Sequence, residues 1–378
     1  MKDATERLRA VQGSCSSRGL IESLDDPSPE VARAAVRRIE EVDGSNAADA
    51  LRARLLSADL SLVADIAKAL RRIGDSRAVD LAIAGLTGEP YTRRLAAARA
   101  LGALADARAA FMLRIALQDA VAGVRVAALE ALAQIAGATD EAGDCARLLS
   151  DPNPQVRVAA VRAVVRIGSQ PGNLLSSLAQ DSDRGVRLEV AQHVATLSDP
   201  AARLLLADSD LRVREAAAQA GGTRQVGSLA VLLVDDPGVD VRRAAASALG
   251  GLGDTRIADV LLPGVEDPDA VVRAAVLRAL VQLVMRGGAV RRLRHELGSS
   301  RRERRRASVY ALAHLEALEA AEDVTRLVND PDPDVRLSLI HTAASLVPDP
   351  EALIRHLARD RDAAVRSSAE VWLLRRPA

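Results

Sequence analysis

Asp151-Pro152-Asn153-Pro154-Gln155-Val156-Arg157-Val158-Ala159-Ala160 decides the reading of this chain, because the same phrase keeps returning. It comes back as Asp267-Pro268-Asp269-Ala270-Val271-Val272-Arg273-Ala274-Ala275 and again as Asp330-Pro331-Asp332-Pro333-Asp334-Val335-Arg336. With the Val of the phrase as anchor, twelve copies fall at Val31, Leu62, Arg93, Val124, Val156, Val186, Val213, Val241, Val272, Arg304, Val335 and Val365, in steps of 27 to 32 residues. A unit that short cannot bury its own apolar face, so copies must stack on one another.

Each position of the unit has a physical task. Apolar or small residues recur four, eight and eleven places after the anchor, as in Val156, Ala160, Val164 and Ile167, which is one face of an α-helix. A shorter apolar stretch precedes each phrase, such as Leu229-Ala230-Val231-Leu232-Leu233, so the unit reads as two helices and a turn. Nine of the twelve repeats place Asp five residues before the anchor: Asp26, Asp119, Asp151, Asp181, Asp208, Asp236, Asp267, Asp330 and Asp360. Pro often follows and cannot continue the first helix. Two residues after the Asp stands an N-cap candidate for the second helix: Ser28, Asn153, Asp183, Asp210, Asp269, Asp332 or Asp362. Ten repeats carry Arg just after the anchor, from Arg94 to Arg366, whereas repeats one and two have Ala32 and Val63. A bidentate Arg–carboxylate pair with the Asp of its own or a neighbouring turn would tie turn to turn, and this structural reading is preferred to a ladder of ligand-binding arginines.

Paired helices, a step near 31 residues and the phrase Asp-Pro-x-x-x-Val-Arg-x-Ala-Ala resemble HEAT repeats. The short unit is similar to the HEAT-like repeats named after phycobilisome lyases, most clearly at residues 151–168, 236–253 and 267–283. The resemblance spans roughly residues 18–376 and implies an all-α, right-handed solenoid of about twelve stacked helix pairs, with residues 1–17 as an N-terminal capping segment. It says little about function, because such repeats serve scaffolds, adaptors, lyase subunits and a group of DNA glycosylases. It also implies that the second helices line the concave side.

Composition narrows the classes. The chain has 378 residues, 49% of them hydrophobic, and only four aromatics: Tyr91, Phe111, Tyr310 and Trp372. Small side chains let helices approach closely. Formal net charge is zero, so no global field draws the chain to nucleic acid or an acidic membrane. Positive charge is nearly all Arg, with Lys only at 2 and 68, which fits a GC-rich bacterial genome. Cys15 and Cys145 lack metal-ligand spacing and point to a reducing compartment. No signal peptide and no long uncharged apolar window is present, so a bacterial cytoplasmic location is expected. His193, His295, His314, His341 and His356 have no paired His or Cys, and too few aromatics exist for a glycosylase pocket or a base-stacking platform. No catalytic residue, metal, cofactor, membrane contact or small-molecule substrate is expected.

Function is therefore sought where the copies differ. The positions six and ten after the anchor lie one turn apart, off the apolar stripe. The column they form runs Arg37, Glu41, Lys68, Arg72, Arg99, Glu130, Gln134, Arg162 and Arg166, continues with mostly neutral residues, and ends in Arg278, Gln282, Tyr310, His314, His341 and Ser345. A groove for an acidic partner segment, centred on Arg37, Lys68, Arg72, Arg99, Arg162 and Arg166, is the main expectation, against an ordinary solvated face. The pattern also breaks twice. Steps shorten into Val213 and Val241, with Gly221-Gly222 nearby, so a change of curvature or a hinge is expected near residues 198–227. Repeat ten replaces its Asp and Val by Ser299-Ser300-Arg301-Arg302-Glu303-Arg304-Arg305-Arg306, preceded by Arg286, Arg291, Arg292 and Arg294. That run would suit phosphates or an acidic peptide, or would be a solvated loop. A protein-binding scaffold or adaptor is the leading function; a nucleic-acid or phosphate binder and a lyase-type enzyme subunit stay open beside it.

Overall fold

The computed structural model describes residues 3–14, 16–57, 59–135, 142–168 and 171–374, without the side chains of 40, 43–46 and 286. Cys15 lies outside the described residues. Every regular element among them is helical. The chain divides into two compact units, Met1–Val190 and Ala191–Ala378, and in each the helix pairs stack as an α-solenoid.

The first unit opens with Ala4–Gly13, which packs on the long helix Pro29–Arg54 beside Ser17–Ser23. Second helices then follow in order: Leu60–Ile73, Tyr91–Leu104, Ala122–Gln134 and Pro154–Ile167, each packed on the one before. The second unit repeats the plan with Leu211–Gln219, Val239–Gly251, Ala270–Glu296, Arg302–His314, Pro333–Leu346 and Ala363–Leu374. The apolar stripe is the core: the anchors Val124, Val156, Val241, Val272 and Val335 are fully buried, as are Leu132, Val164 and Leu280 eight places on. Small residues set the helix spacing. A Cβ added at Gly250 would sit 2.6 Å from the Ala279 Cβ on the next second helix, so only glycine allows that approach.

Two features depart from the expected plan of two helices and a turn per repeat. Pro29–Arg54 runs through as one helix from repeat one into repeat two. Ala270–Glu296 likewise joins repeats nine and ten, bending at Met285, whose φ of 59° lies in the left-handed region. Near the second unit's start, Leu211–Gln219 spans only 9 residues, against 13 for Val239–Gly251. There a Cβ on Gly222 would meet the Ala195 Cβ at 3.2 Å, and Arg224 donates to the carbonyls of Ala195 and Leu197 at 2.7 and 3.0 Å. Arg224 thus ties its own turn to the preceding one through backbone acceptors.

Candidate functional site

The part of the phrase that recurs from repeat to repeat builds the joint of the stack. The Asp five before the anchor folds back on its own turn: Oδ1 of Asp151, Asp236, Asp267 and Asp330 accepts the N–H two residues on at 2.8–2.9 Å. The next position caps the second helix, with Asn153, Asp210, Asp269, Asp332 and Asp362 accepting from its free N–H groups. Ser28 does not cap; its hydroxyl is turned to the Glu30 carboxylate at 3.1 Å.

The Arg after the anchor reaches forward to the Asp of the following repeat. In the first unit Arg94 grips Asp119, Arg125 grips Asp151 and Arg157 grips Asp181. In the second, Arg214 grips Asp236, Arg242 grips Asp267, Arg305 grips Asp330 and Arg336 grips Asp360. Each pair is a fork, with Nε and Nη2 on the two carboxylate oxygens, and Nη1 turned to backbone carbonyls of the Arg's own turn or, for Arg94, to Gly88. At the start, Arg7 of the capping segment grips Asp26 in the same way, at 2.8 and 3.1 Å. Arg and Asp are also lost together. Repeat one has Ala32 where repeat two has Ser57, and repeat two has Val63 where repeat three has Gly88.

These forks set the carboxylate charge. Burial pushes Asp119, Asp151 and Asp181 up, but the guanidinium hydrogen bonds and the turn N–H outweigh it and hold all three below the ordinary 3.8. For Asp360 the Arg336 hydrogen bonds are the largest influence, again downward.

The column positions lie away from the joint and point to solvent. Arg37, Lys68, Arg72, Arg99, Arg162 and Arg166 in the first unit are exposed, as are Arg278, Tyr310, His314 and His341 in the second. Arg162 pairs with Glu189 at 2.7 Å, and Arg72 donates to the Lys68 carbonyl at 3.4 Å. Arg37, Lys68, Arg99 and Arg166 have no carboxylate partner among the described residues.

The basic run of repeat ten is largely matched by acids brought from other turns. Arg292 pairs with Asp259, Arg294 with Asp323, Arg301 and Arg304 with Glu266, and Arg302 with Asp332 and Glu303. Arg291 and Arg306 are exposed and have no such partner among the described residues. The notable omission of the sequence reading is Arg273, taken as one more joint residue. It has no carboxylate to grip, because Ser299 stands where the next repeat's Asp belongs. The signal was present in the alignment of the repeats, as an Arg in repeat nine without its Asp in repeat ten.

No group of His, Cys, Asp and Glu among the described residues is arranged to hold a metal ion. Cys145 is buried. No helix among them is long and apolar enough to cross a membrane.

No curated protein matches the chain. Among solved structures it is similar to a crystal structure of an engineered protein, at 20% identity and a TM-score of 0.31, covering 95% of this chain and 98% of that one. It is also similar to a chain in the structure of Kap95p with RanGDP, at 14% identity and a TM-score of 0.46, covering 94% of this chain and 58% of that one. The model of HEAT repeats matches residues 17–97, 141–222 and 227–313, which together make up more than half of the sequence. With its paired helices, stacked one repeat on the next within each unit, and its turn-to-turn forks, the chain belongs to the HEAT repeat family.

Proposed function

We propose that this protein is a non-catalytic protein-binding scaffold or adaptor, and that the exposed face of its first-unit second helices takes up an acidic segment of a partner. HEAT repeats generally act as scaffolds for protein interaction. The observation that carries the finer reading is the state of the cations on that face. Arg37, Lys68, Arg99 and Arg166 are exposed and lack carboxylate partners among the described residues, in a molecule whose joint arginines are forked onto aspartates. Cations left unmatched along a stacked face favour an extended anionic chain over a compact ligand.

The test is the combined charge reversal Lys68→Glu, Arg99→Glu and Arg166→Glu, assayed by titration with a Glu- and Asp-rich peptide and, in parallel, with single-stranded DNA. The expected result is peptide binding by the wild type, its loss in the variant, and an unchanged unfolding temperature. Equal peptide affinity in the two proteins would overturn the reading, and preferential binding of DNA with a steep salt dependence would replace it.

A further inference from the structure

Repeat nine holds a fork without its carboxylate. The Arg273 guanidinium is posed like the others: Nη1 donates to the carbonyls of Asp267 and Pro268, both at 2.8 Å. Arg242, one repeat earlier, makes the same contacts to Asp236 and Pro237 at 2.8 and 3.3 Å and completes its fork on Asp267. For Arg273 the completing residue is Ser299. The Ser299 hydroxyl still accepts the Arg301 N–H at 3.3 Å, as the Asp would, but it offers Arg273 no carboxylate. Nε and Nη2 of Arg273 therefore have no acceptor among the described residues.

Arg273 also borders open space. A cavity of about 240 Å³ between the second helices of repeats nine and ten is lined by Val265, Ala274, Leu277, Ala307 and Tyr310 along with Arg273. A second, of about 350 Å³, shares Val265, Arg273, Ala307 and Tyr310 and adds Arg306, Glu266 and Glu303. The acids in that wall, which include Asp267, are already engaged, Asp267 by Arg242, Glu266 by Arg301 and Arg304, and Glu303 by Arg302. Arg306 is not. Partial burial holds the Tyr310 phenol above its ordinary value, Asp334 adding to the rise and Arg306 and Arg273 opposing it.

We infer that repeats nine and ten form a carboxylate-binding site, in which a Glu or Asp side chain of a partner peptide, next to an aliphatic residue, completes the Arg273 fork. The carboxylate takes the place that Asp267 takes for Arg242. The aliphatic neighbour fills the apolar wall of Val265, Ala274, Leu277 and Ala307. Arg306 adds a second positive charge at the mouth. The site uses other residues, in the other unit, than the basic face proposed above, so either can fail alone.

The experiment is calorimetric titration of the full chain with a short peptide, acetylated and amidated, carrying one Glu between two Leu. Two further probes run beside it: the same peptide with Gln for Glu, and a Glu-free peptide with a free C-terminus. Two variants have opposite structural consequences. Arg273→Gln removes the fork, and Ser299→Asp supplies the internal carboxylate that every neighbouring joint has. Expected are binding of the Glu peptide by the wild type, about tenfold or greater loss with the Gln peptide, and similar loss in both variants. Ser299→Asp should lose binding without a lower unfolding temperature, which separates blocking from misfolding. Equal affinity for the Glu and Gln peptides, wild-type affinity in Ser299→Asp, or no binding of the Glu peptide by the wild type would each overturn the inference. Tighter binding of the free C-terminus would overturn it too, by assigning the fork to a chain end.

Discussion

Arg242 and Arg273 occupy the same place in consecutive repeats and do different things. Both follow a Val anchor, and both turn Nη1 onto the carbonyls of an Asp-Pro turn. Arg242 is buried, with its fork closed on Asp267 at 2.7 and 3.1 Å. Arg273 is partly exposed beside a cavity, with its fork open. A repeated residue therefore does not have a repeated role; its role depends on whether the next unit supplies the partner. The coupled loss of Ala32 with Ser57 and of Val63 with Gly88 fits the same rule, since neither half is kept without the other.

The comparison can be broken most severely at the carboxylate. Asp267 both accepts the Asp269 N–H and closes the Arg242 fork. Asp267→Ala should cost about 3 kcal/mol in urea unfolding, because it leaves a buried guanidinium unpaired as well as an open turn. Replacing the arginines is the next largest test. Arg242→Gln should cost about 2 kcal/mol and Arg273→Gln less than about 1 kcal/mol, measured in the same way.

Acid gives a smaller effect per joint, spread over several. Asp119, Asp151, Asp181 and Asp360 titrate below their ordinary 3.8 in the folded chain. The unfolded chain then binds more protons than the folded one as pH falls through that range. The stability they contribute is present in full above about pH 5 and is lost as pH drops through their depressed values. Urea midpoints should be flat from neutral pH down to about pH 5 and fall steeply towards about pH 3. A midpoint that rose on acidification would contradict the assignment.

Much of this was legible in the sequence and some of it was not. The second helices, the Asp turn and the N-caps follow from local spacing, and the tie between turns follows from the Asp and Arg recurring in register from repeat to repeat. The direction of the tie was not legible: for Arg157 the Asp of its own turn lies 6 residues back and the Asp of the next turn 24 residues on, and the fold selects the more distant one. Nor was the balance of the Arg run in repeat ten. Its partners Asp259, Glu266 and Asp323 come from other turns, so the run looks bare in sequence and largely matched in structure. The joined helices Pro29–Arg54 and Ala270–Glu296 escaped for another reason: each join lies between the second helix of one repeat and the first helix of the next, where the repeated phrase carries no Asp-Pro turn signal. The column positions carry no internal constraint, and their use depends on a partner's chemistry.

The most direct test of the account is a double-mutant cycle between Arg273 and Ser299, read by equilibrium unfolding. Ser299→Asp alone should add about 1 kcal/mol, and in its presence Arg273→Gln should become as damaging as Arg242→Gln, a coupling of roughly 1–2 kcal/mol. Additive effects of the two substitutions would contradict the claim that the joint is made by the pair and left open where its Asp is missing.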